Sequence, residues 1–63
     1  MYDKMTIEQI RENQGKSKLA VAQSANIPYT SYLRYENNPG KAPFAEVAKI
    51  CRALNVNFEQ VSI

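Results

Sequence analysis

Residues 17–36 read Ser17-Lys18-Leu19-Ala20-Val21-Ala22-Gln23-Ser24-Ala25-Asn26-Ile27-Pro28-Tyr29-Thr30-Ser31-Tyr32-Leu33-Arg34-Tyr35-Glu36, and their pattern decides the fold. Two short helical patterns flank a tight break at Asn26-Ile27-Pro28. Ser17 is a good N-cap, because its hydroxyl accepts a backbone N–H that a helix start leaves unpaired. Val21, Ala22 and Ala25 then form an inner stripe whose small alanines let another helix approach closely. Asn26 tolerates the left-handed conformation better than most residues with a β-carbon, so it turns the chain. Ile27 plugs the corner. Pro28 cannot continue the first helix and suits the first turn of the next, read over about residues 28–36. On that second helix Tyr32 and Tyr35 face inward together. Tyr29, Thr30, Leu33 and Arg34 are then turned outward.

The flanking segments extend the same class of structure. Thr6 and Gln9 have capping-box spacing, Ile7, Ile10 and Gln14 share a face, and Gly15 is a helix C-cap. Residues 37–43 are dense in Asn, Pro and Gly and read as a loop. Phe44, Val47, Ala48, Cys51 and Leu54 recur at three- and four-residue steps, with Ile50 widening the stripe. Asn55 closes that helix in the manner of a glycine. A last short helix is expected from Asn57 as cap, with Gln60 completing a second capping box and Phe58 and Val61 packing inward. The expectation is a compact all-α, five-helix domain filling residues 1–63, without a strand.

Composition narrows the function classes. Sixty-three residues make one domain with a limited core. The single Cys51 cannot form an internal disulfide, and one cysteine without histidine gives no basis for a metal site. A reduced, cytoplasmic setting fits, with Cys51 a small buried apolar residue. Residues 1–5 lack the basic and apolar segments of a secretory leader, and no apolar run reaches the length of a membrane span. Without histidine, a glycine-rich phosphate loop or room for a walled pocket, no enzyme, cofactor or small-molecule ligand is expected. Eight Lys and Arg against six Asp and Glu leave a net charge of +2. That excess permits nucleic-acid binding without arguing for it, so the placement of charge must decide.

The order and spacing of these motifs resemble the phage Cro/CI repressor-type, or Xre-like, helix-turn-helix family from Thr6 to Val61. The residues that carry the resemblance are Ile7-Glu8-Gln9-Ile10-Arg11, Ser17 with Val21-Ala22, Asn26-Ile27, Arg34-Tyr35-Glu36 and Ala53-Leu54-Asn55-Val56. The chain departs from the family pattern at several points. Asn26, Asn55 and Asn38 stand where glycine is usual. Pro28 replaces a Ser or Thr, Lys18 replaces a glutamine, and Leu19 and Leu33 are apolar where polar residues are common.

The resemblance implies a lambda-repressor-like domain, with the helix-turn-helix at about 17–36, that lays its second helix in the major groove of double-stranded DNA. By family position, Tyr29, Thr30 and Arg34 read bases, with Leu33 beside them. Arg34 has the planar fork that matches guanine O6 and N7, and Leu33 suits a thymine methyl. The competing reading leaves Arg34 on phosphate and Leu33 as ordinary surface. Phosphate contacts fall to Ser17 and Lys18 at a helix N-terminus, and to Asn37, Asn38 and Lys41 in the loop. Arg11 and Glu36 are implied to form a structural ion pair. Stacking of the tyrosines on single-stranded bases competes with their packing inside the domain.

A homodimer is expected on DNA, through the C-terminal region around Val56, Phe58, Val61 and Ile63. The functional expectation is a bacterial or phage-encoded, nucleoid-associated transcriptional repressor binding a palindromic operator. A chain ending just after its last helix suits a Cro-like regulator governed by its own concentration, unless it is a fragment. The alternative is an antitoxin-like or partner-binding protein, with Leu19, Leu33 and Tyr29 as interface anchors. A restriction-modification controller would share the same chemistry.

Overall fold

The computed structural model describes residues 4–63; residues 1–3, part of the stretch read above for a leader, lie outside the described residues. Four α-helices follow in chain order: α1 (Ile7–Asn13), α2 (Lys18–Ser24), α3 (Tyr29–Asn37) and α4 (Phe44–Ala53). Two single 3₁₀ turns, Pro39–Lys41 and Phe58–Gln60, complete the regular structure.

Local chemistry sets the ends of these short helices. At α1 the Thr6 hydroxyl accepts from the Gln9 N–H at 3.1 Å, while the Thr6 N–H donates to Gln9 Oε1 at 3.0 Å. This reciprocal pair satisfies two groups that the first turn would leave bare. Ser17 caps α2 by accepting from the Ala20 N–H at 3.0 Å. Three of the helices end the same way. Gly15, Asn26 and Asn55 have φ of 68°, 58° and 60°. The N–H beyond each reaches back five residues, from Lys16 to Arg11, Ile27 to Ala22 and Val56 to Cys51, at 2.9–3.2 Å. The left-handed residue bends the chain enough for that bond to form, and asparagine adopts it at modest cost.

The core joins these elements. Ile7 and Ile10 of α1, Val21 and Ala22 of α2, Tyr32 of α3, and Val47, Ile50 and Cys51 of α4 are buried, closed by Ala25, Ile27 and Leu54 at the corners. Burial pushes the Cys51 thiol above its ordinary pKa. Gln14, placed on the inner face of α1 by its spacing, is exposed, but its amide donates to the Leu54 carbonyl at 2.7 Å. This bond ties the end of α1 to the end of α4.

The all-helical class holds, and among the described residues there are four α-helices where five were expected. The last helix expected at Asn57 is only the 3₁₀ turn Phe58–Gln60. Its start is read correctly, since the Asn57 N–H donates to Gln60 Oε1 at 2.7 Å. The turn stops because Val61 is extended and forms an isolated parallel bridge with Met5. The loop over residues 37–43 contains the other 3₁₀ turn, and Pro28 is the cap of α3 rather than its first residue.

Two aromatic placements also change. Phe44, expected on the inner stripe of α4, is 67 % exposed, and Phe58, expected inside, is also exposed. Their rings meet each other, with centroids 4.8 Å apart. Val61 is buried at 3 % exposure. A side chain enclosed by its own domain has no surface to offer a second copy, so it leaves the set expected at a dimer interface. Val56 is half-buried, and Phe58 and Ile63 stay exposed.

Candidate nucleic-acid interface

Glu36, in the last turn of α3, organises this end of the molecule. Its carboxylate accepts from Arg11 Nε at 2.8 Å and Arg11 Nη2 at 3.4 Å. It also accepts from the Tyr32 hydroxyl at 2.7 Å. The Arg11 and Glu36 side chains are 9 % and 5 % exposed. Arg11 Nη1 donates further to the Lys16 carbonyl at 2.9 Å, so the loop between α1 and α2 joins the same network. Lys18 Nζ stands 3.9 Å from Glu36 Oε2, at the first residue of α2. One carboxylate therefore fixes α3 against α1 and against the start of α2.

The electrostatics follow from this enclosure. The hydrogen bond to Glu36 is the main influence holding the Arg11 guanidinium charged above its ordinary range, and burial opposes it. Burial first, and then the bond to Glu36, push the Tyr32 hydroxyl far above its ordinary range. Both groups stay protonated at neutral pH, as donors to a carboxylate must. The Tyr32 bond escaped the sequence reading, which treated both tyrosines as apolar packing. A buried tyrosine four residues before a glutamate on one helix is the signal that was available.

With that side anchored, the opposite side of α3 faces solvent. Tyr29, Thr30 and Arg34 are exposed, and Leu33 is half-buried. Helical spacing sorts them into two adjacent rows, Tyr29 with Leu33 and Thr30 with Arg34. Beside them, Ser17 and Leu19 at the start of α2 are exposed, Leu19 by half, and Lys18 is partly so. At the last residue of α3 and just after it, Asn37, Asn38 and Lys41 are exposed and line one shallow groove with Arg34, Tyr35 and Pro43. The residues singled out around α3 thus occupy one continuous region. The C-terminal Phe58 meets Phe44 and shares a shallow groove with Ile63, whose side chain lies against Gly40 of the Pro39–Lys41 turn.

Charge placement now adds what net charge could not. Between residues 14 and 45 the chain carries Lys16, Lys18, Arg34 and Lys41 against a single carboxylate, Glu36. That carboxylate is buried and engaged by Arg11. The exposed charged side chains of this segment are therefore cationic, while Glu8, Glu12, Glu46 and Glu59 lie outside the segment, Glu12 exposed and 3.9 Å from Arg11 Nη2. Such a surface, lined with hydrogen-bond donors and offering no acidic side chain, suits a polyanion. No helix of the described residues is long and apolar enough to cross a membrane, and no acidic, cysteine or histidine cluster among them could hold a metal ion.

A helix-turn-helix family model matches residues 7–61 of the chain. No curated protein and no solved structure matches it. The matched span runs from the first residue of α1 to the Met5–Val61 bridge and takes in the whole core and the cationic face. The chain belongs to the Cro/CI-type, Xre-like helix-turn-helix family of DNA-binding transcription regulators.

Proposed function

We propose that this protein is a Cro-like repressor that binds a palindromic operator as a dimer, with α3 in the major groove. The observation that carries the reading is the cationic face over α2, α3 and the following loop, whose one carboxylate is enclosed with Arg11. Thr30 and Arg34 form the polar row that reads base edges, Arg34 through guanine O6 and N7. Tyr29 and Leu33 form the less polar row, suited to thymine methyl groups. Ser17, Lys18, Asn37, Asn38 and Lys41 hold phosphates on either side and set the register of the helix. Lys18 is shared between its phosphate and Glu36, so it also couples the DNA backbone to the anchored end of α3.

A nine-residue helix touches too few base pairs to find one site in a genome. A second copy doubles the site, with half-sites about one helical turn, roughly 34–36 Å, apart. The patch formed by Phe44, Phe58 and Ile63, exposed yet internally packed, supports a docking surface for that copy.

Selection of genomic fragments retained by the protein at several salt concentrations tests the reading. Retained fragments should share an inverted repeat, and affinity should fall log-linearly with salt. Arg34→Ala should relax preference at one base pair per half-site, at a cost of roughly 1–3 kcal/mol in discrimination. Lys18→Ala should weaken all duplexes alike. Retention without any shared sequence would overturn the proposal and favour a protein partner at Leu19 and Tyr29.

A further inference from the structure

Tyr32 and Tyr35 lie three residues apart on α3, and their hydroxyls have different surroundings. Tyr32 is fully buried and donates to Glu36. Tyr35 is half-buried, its ring packed against the core, and it lines the groove between α3 and the Pro39–Lys41 turn. Among the described residues its hydroxyl makes no side-chain hydrogen bond. Packing alone would be served by phenylalanine, so the hydroxyl has no structural task among the described residues. The groove around it holds two cations, Arg34 and Lys41, and two side-chain amides, Asn37 and Asn38, with no carboxylate in the lining. Neither cation is in an ion pair among the described residues.

We propose that Tyr35 is a phosphate-contacting residue, its hydroxyl donating to a non-bridging oxygen of a DNA phosphodiester that lies in this groove. The inference rests on the DNA-binding reading and adds a residue whose side chain was expected only in the core. The packed ring holds the donor in place before DNA arrives, so little conformational freedom is lost on contact. The contact differs in kind from those of Lys41 and Arg34. A neutral hydroxyl strengthens binding without neutralising a phosphate, and so without releasing a counterion.

That difference supplies the test. Wild type, Tyr35→Phe and Lys41→Ala are titrated with a mixed-sequence DNA duplex over a range of salt, and each is melted without DNA. Tyr35→Phe should bind about tenfold more weakly, the scale of one hydrogen bond to a charged oxygen. Its dependence of log affinity on log salt and its melting temperature should match wild type. Lys41→Ala should lower the salt slope by about 0.9. Wild-type affinity in Tyr35→Phe would overturn the proposal and leave the DNA reading standing. So would a lowered melting temperature that accounts for the weakening. Failure of the wild-type protein to bind any duplex would instead remove the DNA reading itself.

Discussion

The two ends of this domain use similar sequence signals to different effect. Each carries a pair of aromatic side chains, Tyr32 and Tyr35 three residues apart on α3, and Phe44 of α4 with Phe58 of the last 3₁₀ turn. At the α3 end the aromatic Tyr32 is enclosed, and its polar atom meets the carboxylate that also holds Arg11. At the C-terminal end Phe44 and Phe58 touch each other while remaining exposed. The first region is fixed by polar bonds inside an apolar setting, where each lost partner leaves a buried group unsatisfied. In the second, the backbone is tied by the Met5–Val61 bridge while the two rings meet only at the surface, where a lost partner leaves only more water. Enclosed polar bonds are thus concentrated at the end of α3, and exposed apolar surface at the C-terminal end.

Arg11→Ala is the strongest attempt to break this contrast. It leaves the Glu36 carboxylate buried without its main partner, a loss of roughly 3–5 kcal/mol. A domain of this size has roughly 3–9 kcal/mol in total. The variant should therefore be largely unfolded, or melt roughly 12–40 °C lower. A melting curve matching wild type would show that the enclosed pair contributes nothing to stability.

Tyr32→Phe removes one donor and should cost roughly 1.5–3 kcal/mol, the scale for a hydrogen bond to a charged group. Its pH dependence is more diagnostic. Folding raises the pKa of the Tyr32 hydroxyl, so the folded state favours the protonated form. The stabilisation is complete below the unfolded pKa of about 10 and is lost as pH climbs above it. Melts of wild type from neutral to strongly alkaline pH should decline past that point, and Tyr32→Phe should decline less steeply. Parallel curves would remove the hydroxyl from the account.

Much of this was legible from the sequence because the decisive signals are local. Ser17, Asn26 and Asn55 act through their own backbone neighbours, so their effects do not depend on the rest of the fold. The outward row of α3 followed from the periodicity that buries Tyr32. The misread positions depended on what lies opposite. Phe44 continues the spacing of Val47, Cys51 and Leu54, yet as the first residue of α4 it extends past the layer that covers them. A capping box marks where a turn begins but not how far it propagates, since propagation needs an apolar face to bury. After Gln60 that burial is taken by Val61 beside Met5, a pairing 56 residues apart in the chain. The meeting of Gln14 with the Leu54 carbonyl was hidden for the same reason. Tyr35 is intermediate, since it packs against the core as the periodicity requires while also lining a groove completed by a loop that carries no period.

Phe44→Ser should have the smallest effect on folding and is the sharpest test of the C-terminal patch. The ring is two-thirds exposed, and an aromatic pair is worth about 0.5–1.5 kcal/mol beyond its area. The loss in stability should sit near or below about 1 kcal/mol, well short of Arg11→Ala. Its effect on assembly should be larger than its effect on folding. If a second copy docks on Phe44, Phe58 and Ile63, sedimentation of wild type with operator DNA should show two chains per site. Phe44→Ser should then need higher protein concentration to reach that state while binding a single half-site normally. A loss of stability as large as that of Arg11→Ala would make Phe44 part of the core after all. Unchanged assembly would move the second copy to another face.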